Sequence, residues 1–129
     1  MHNFIGVWID HAHAHILQAN KLGDVSLVKT LHSDVEPHHL STGTEGVHHD
    51  ERRHNQMSAF CKEVLAEVEK LHMSELVIFG PSTGKHDFKR EVESHKALSG
   101  MLKGVETTAK LEEAEMKDFV KKFFHLPLA

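Results

Sequence analysis

The sequence predicts an α/β fold: a single mixed sheet in which an N-terminal antiparallel three-strand meander is joined by two parallel strands and packed by about three helices. Three observations carry this reading. Residues 75–80, Glu-Leu-Val-Ile-Phe-Gly, are apolar without alternation, as in a strand covered by helices on both faces. The stretches 4–9, 13–19 and 25–31 are short and apolar, and polar turns join them. From residue 52 the apolar period lengthens to three and four, after which strand and helix patterns alternate to the end of the chain.

Taken in order, Phe4, Trp8 and the set Ile5, Val7 and Ile9 divide between the two sides of the first strand. Gly6 either lets another backbone approach or leaves room beside the Trp8 ring. Asp10-His11-Ala12 makes a turn or bulge, the second strand covers 13–19, and 20–24 turns the chain into a third strand with Val25, Leu27 and Leu31 on one face. Residues 32–51 hold few apolar anchors and read as a long His-rich loop. Met57, Phe60, Cys61, Val64, Leu65, Val68 and Leu71 then form the apolar stripe of a helix over 52–72. After the buried strand, Gly80-Pro81 forces a turn, because proline has no amide hydrogen and disfavours a helical residue before it. A helix is expected from 84 or 85 to 96 with Phe88, Val92 and His95 inward, then a fifth strand over 105–109. A terminal helix runs from 111, with acidic residues at its start and Lys121, Lys122 and His125 at its end.

A length of 129 residues and 40% hydrophobic content suit one domain, 1–129, whose core needs no disulfide or structural metal. A formal net charge of −4 gives no global attraction to nucleic acid or anionic lipid, so any such contact must be local. Cys61, the single cysteine, falls on the apolar stripe of its helix, where an inert buried thiol in a reducing compartment is expected. There is no apolar run of membrane length, and Met1-His2-Asn3 leads straight into a strand rather than a signal core, so a cytoplasmic location is expected. The compositional anomaly is fourteen histidines dispersed along the chain.

Three groups of residues suggest chemistry. Gly80-Pro81-Ser82-Thr83-Gly84-Lys85 has the outline of a phosphate-binding loop, but it lacks one residue between its glycines and has His86 where a Ser or Thr would reach the metal. This weighs against an ATPase. It leaves an anion or RNA contact formed by Ser82, Thr83, Gly84 and Lys85 at a helix start, extended by Lys89, Arg90 and Lys96 and diluted by Asp87, Glu91 and Glu93. The plainer reading of the same residues is a structural turn with solvated lysines. No exposed aromatic pair suggests a base-stacking platform.

Asp10, His11, His13 and His15 form a possible metal group. Side chains two apart on a strand sit roughly 6–7 Å apart, however, too wide for one zinc unless a bulge gathers them, and a solvated strand face explains them as well. His38, His39, His48 and His49 add ligands without the spacing of a structural zinc site, so weak or adventitious zinc or nickel binding is the expectation there. For hydrolysis, Ser82 or Thr83 with His86 lacks a nucleophile elbow, and Asp10 on the first strand of a ribonuclease-H-like sheet lacks acidic partners. The sequence therefore weighs against an enzyme.

The motifs Gly6-Val7-Trp8-Ile9-Asp10, Ala14-His15-Ile16, Leu76-Val77-Ile78-Phe79-Gly80-Pro81 with Lys85, and a last helix ending near Phe123-Phe124 have a further implication. With the His-rich segment before the long helix, the chain resembles small bacterial proteins related to the middle domain of the archaeal and eukaryotic peptide-chain release factor and of pelota, the ribosome-rescue factor. The resemblance implies a release-factor-middle-domain-like fold and contact with the ribosome, its RNA or a translation factor. Release factors hydrolyse peptidyl-tRNA with the help of a Gly-Gly-Gln loop, and this sequence has no Gly-Gly-Gln, only Gly43 and Gly46 among histidines in the corresponding region. The expectation is a non-catalytic binding protein of RNA or a translation factor. The alternatives are a metal-dependent hydrolase using Asp10 and histidines, and a homo-oligomeric structural or regulatory protein paired through a sheet edge.

Overall fold

The computed structural model describes residues 3–33, 46–81 and 83–127, with side-chain detail in the long helix from residue 55 onward. Within them, strands β1 (Phe4–Ile9), β2 (His13–Ala19), β3 (Val25–His32), β4 (Glu75–Gly80) and β5 (Leu102–Thr107) form a five-stranded sheet of order β3-β2-β1-β4-β5. β1, β2 and β3 pair antiparallel, while β1 with β4 and β4 with β5 pair parallel. The helices are α1 (Gly46–Glu69), α2 (Gly84–Glu93), α3 (Lys96–Ser99) and α4 (Glu113–Phe123). The mixed sheet, its meander and its parallel pair agree with the expected fold class.

The alternation of each strand divides the apolar residues between two cores. On one face Ile5, Val7, Ile9, Ile16 and Ile78 meet the α1 stripe of Met57, Phe60, Val64 and Val68 and the α2 residues Phe88 and Val92. On the other, Phe4, Trp8, Leu17, Val77 and Phe79 meet Met116 and Val120 of α4. Every residue of β1 is buried, as are Leu76 to Gly80 of β4, because these two strands lie inside the sheet and are covered on both sides. What Gly6 admits is neither a second backbone nor the Trp8 ring but the Val120 side chain: a Cβ there would lie 2.6 Å from Val120 Cγ2, so a side chain would push α4 off the sheet.

Several boundaries differ from the periodicity reading. The α1 helix starts at Gly46, so His48 and His49 belong to a helix and not to a loop, and β3 extends to His32. Residues 34–45, which include His38 and His39, lie outside the described residues. β3 carries a register shift opposite Ile16 and Leu17, with Lys29 paired to Ile16 and Leu27 to Leu17. The extra residue, Val28, reverses the parity of the strand. Leu31 therefore joins the α1 face while Val25 and Leu27 stay with α4, instead of all three sharing one side.

The α2 helix ends at Glu93, and His95 lies on the surface, its Nε2 3.2 Å from Glu91 Oε2, rather than facing inward. β5 begins at Leu102, opposite Leu76, three residues before its expected start. Its partner strand sets that start, which local β propensity does not reveal. No helix among the described residues is long and apolar enough to cross a membrane.

Candidate functional site

In a parallel α/β sheet, ligands collect beyond the carboxyl ends of the strands, where the loops are free to vary. Here β1 and β4 run parallel and their chains leave in opposite directions, β1 into β2 and β4 through α2 to β5. Two turns therefore meet at that edge, residues 10–12 and the turn that holds Pro81 and Thr83.

The first turn is closed by Asp10, whose Oδ1 accepts hydrogen bonds from the backbone amides of Ala12 (2.8 Å) and His13 (2.7 Å). That is a turn-forming use of a carboxylate, and it accounts for Asp10 without a metal. The second turn is held to the first by a 3.2 Å hydrogen bond between Thr83 Oγ1 and His11 Nε2. Gly84 seals the contact, since a Cβ there would lie 3.1 Å from the carbonyl carbon of Asp10. This close approach draws the first turn of α2 against the sheet, and Lys85, expected at the surface, is buried at 4% exposure.

The expected basic face is thereby divided. Lys85 is enclosed, Lys89 is partly exposed, Arg90 is exposed but ion-paired with Asp87, and Lys96 sits on α3 beyond the break at Ser94 and His95. Ser82 lies outside the described residues.

The histidines regroup. His11 turns toward Thr83, whereas His13 and His15 share the α4 face of β2 with His32 and Thr30 of β3, which pair with them in the register His13↔His32 and His15↔Thr30. The His13 ring stands edge-on to His32, with centroids 4.9 Å apart and planes at 74°. It is parallel to His15 within 5°, with centroids 6.2 Å apart. His15 Nδ1 is 3.0 Å from Thr30 Oγ1, and the Trp8 indole backs its ring at 5.4 Å.

Burial and then the neighbouring His13 hold the His15 pKa below its ordinary value; Asp10 and Glu113 act the other way and His32 with the depression. Trp8 is buried, and its Nε1 finds no hydrogen-bond partner among the described residues. No group of three His, Cys, Asp or Glu side chains among the described residues is placed to hold one metal ion. Of Asp10, His11, His13 and His15, His11 faces Thr83, while Asp10 closes its turn with Oδ1 3.8 Å from His13 Nδ1 and the His13 and His15 rings stand side by side.

Sequence reading missed His32, Thr30 and Trp8 as members of this cluster. The signal that finds His32 and Thr30 is the β2–β3 register, which depends on the bulge at Val28, and the one that finds Trp8 is the β1–β2 register, which pairs it with His15. Cys61 is buried as expected, and burial with the nearby Asp87 pushes its thiol up to about 12, which makes it a poor nucleophile.

No protein-family model and no curated protein matches the chain. Among solved structures it is similar to Pelota of Archaeoglobus fulgidus, with TM-score 0.62 and 16% identity over 93% of this chain and 31% of that one. It is also similar to Pelota of Thermoplasma acidophilum, with TM-score 0.63 and 15% identity over 93% of this chain and 32% of that one. The chain thus spans about a third of the length of the Pelota structures it matches, and at this identity the shared property is the fold.

Proposed function

We propose that this chain is a non-catalytic binding module of the translation apparatus that contacts ribosomal RNA through the carboxyl edge of its sheet. The observation that carries the reading is the Pelota-like fold over 93% of the chain in a sequence without Gly-Gly-Gln. Support comes from the edge itself, where two turns are locked together by His11, Thr83 and Gly84, and from the exposed Arg90 with the partly exposed Lys89 on the helix that starts there. Lys96, on α3 beside the start of β4, lies at the opposite edge. The use of Asp10 Oδ1 to close its turn and of His11 to hold Thr83 supports reading the edge as a contact surface. Pairing of two copies through β3 is opposed by the bulge at Val28, a feature that blunts edge strands.

The test is co-sedimentation with ribosomes across a salt series. Wild-type protein is expected in the ribosomal fraction at low salt and to leave it as salt rises, because phosphate contacts release counterions. The double variant Lys89→Glu, Arg90→Glu is expected to leave at lower salt. Absence of wild-type protein from ribosomal fractions at every salt concentration overturns the reading.

A further inference from the structure

The imidazoles of β2 and β3 sit on a strand surface at the edge just described, and their geometry suits a ligand more specific than a phosphate backbone. His15 is the fixed wall: its Nδ1 is bonded to Thr30 Oγ1 at 3.0 Å, and the buried Trp8 ring stands behind it. His13 is the movable wall. Its side chain is 39% exposed, and its Nδ1 is 3.8 Å from Asp10 Oδ1, outside hydrogen-bonding distance. His32, exposed and edge-on to His13, closes the side.

The His13 and His15 planes are parallel within 5° at a centroid separation of 6.2 Å. Parallel planes can be no farther apart than their centroids, so the gap is at most 6.2 Å. A flat ring stacked on both sides at about 3.4 Å needs about 6.8 Å. A base therefore enters only if the half-exposed His13 ring turns outward, and otherwise stacks on the outer face of His13. The charges nearby decide what kind of flat ring. The Asp10 carboxylate lies beside His13, and Glu113 at the start of α4 acts electrostatically on His15, so the surroundings disfavour a phosphate and favour a neutral ring bearing amino groups.

We propose that His13, His15 and His32 form a stacking site for an unpaired amino-bearing base, such as adenine, of single-stranded RNA. This rests on the RNA-contact reading above and names what the edge recognises. Histidine is one of the side chains on which splayed-out RNA bases stack, and stacking on such platforms is worth enough that removing a ring weakens binding roughly tenfold. Trp8, the single tryptophan, lies 5.4 Å from His15 and reports occupancy through its fluorescence.

The experiment titrates the full chain with unstructured oligoadenylate and oligouridylate of eight nucleotides, read by fluorescence anisotropy of a labelled RNA and by Trp8 emission. Tighter binding of oligoadenylate with a change in Trp8 emission is expected. The double variant His13→Ala, His32→Ala should bind roughly tenfold more weakly. His13→Phe, which keeps a flat ring and removes its nitrogens, should stay close to wild type; these residues are exposed or partly so, and circular dichroism confirms that the variants fold. The proposal is overturned if neither oligonucleotide binds, if both bind equally without a Trp8 response, if the double alanine variant binds as wild type, or if His13→Phe is as weak as that variant. Ribosome co-sedimentation of the double alanine variant separates the two readings. Retention together with unchanged oligonucleotide affinity removes the stacking site and leaves the RNA-contact reading standing. Oligonucleotide binding by a wild-type protein that never sediments with ribosomes does the reverse.

Discussion

The two faces of the sheet are covered by different means. Under α1 and α2 the core is mainly aliphatic, and the two helices cover the β1–β4 centre, with Phe88 and Val92 fully buried against Ile9 and Ile78. Under α4 the contacts are largely aromatic, with Phe79 stacked on Phe119 at 4.2 Å and Phe4 tilted against Phe124 at 4.8 Å. One helix of eleven residues spans that face, and near its start the imidazoles of His13 and His32 remain accessible. A sheet face sealed by two helices becomes core, whereas a face with a single helix has room for a surface site beside its core.

The comparison is most severely tested by emptying the first face. Phe88→Ala removes a fully buried ring from the α2 contact and should cost about 3–5 kcal/mol, measured by urea denaturation. A loss below about 1 kcal/mol would show that α2 is loosely held and that the first face is not the sealed one. The second face is tested by adding a methyl group where α4 touches the sheet. In Gly6→Ala the new Cβ meets Val120 Cγ2, which is fully buried, and about 1–3 kcal/mol should be lost to overpacking.

Gly104→Ala sharpens the point. Its Cβ would lie 2.7 Å from Phe123 Cζ, but Phe123 is only partly buried and can swing outward, so the loss should be smaller than at Gly6. Equal losses at the two glycines would mean that α4 is held as rigidly at its outer edge as at its centre.

The smallest effect is a pH dependence of stability. The folded-state pKa of His15 lies below its ordinary value of about 6.5, first through burial and then through His13 and His32, against Asp10 and Glu113. Between the two values the unfolded chain binds more protons, so stability contributed by neutral His15 is present above pH about 6.5 and is lost as pH falls below it. Thermal midpoints measured from pH 7.5 to 5 should drop for wild type, and the drop should be reduced in His15→Gln. Parallel curves for the two proteins would remove His15 as the source.

Much of the fold was legible because burial leaves a periodic trace. β1, β2 and β4 coincide with the apolar runs, the α1 stripe from Met57 to Val68 is buried as its spacing requires, and Phe4 and Trp8 lie opposite Ile5, Val7 and Ile9. The candidate site was less legible, because its members are joined by register and not by proximity in the chain. His11 follows Asp10 in sequence yet turns to Thr83, while His32, nineteen residues beyond His13, touches it. Lys85 read as a surface cation because its neighbours are polar; the approach of Gly84 to Asp10, which no local pattern encodes, brought it inside.

By itself the sequence determined where β1, β2 and β4 lie, which residues of β1 and α1 face a core, and that the sheet is mixed, because side-chain alternation and helical spacing are properties of neighbours along the chain. Only the tertiary structure decided where β5 begins, on which face Leu31 falls and which histidines meet. Those follow from an extra residue at Val28, the pairing of Leu76 with Leu102 and the contact of two turns, and each depends on segments that come together only when the chain is folded.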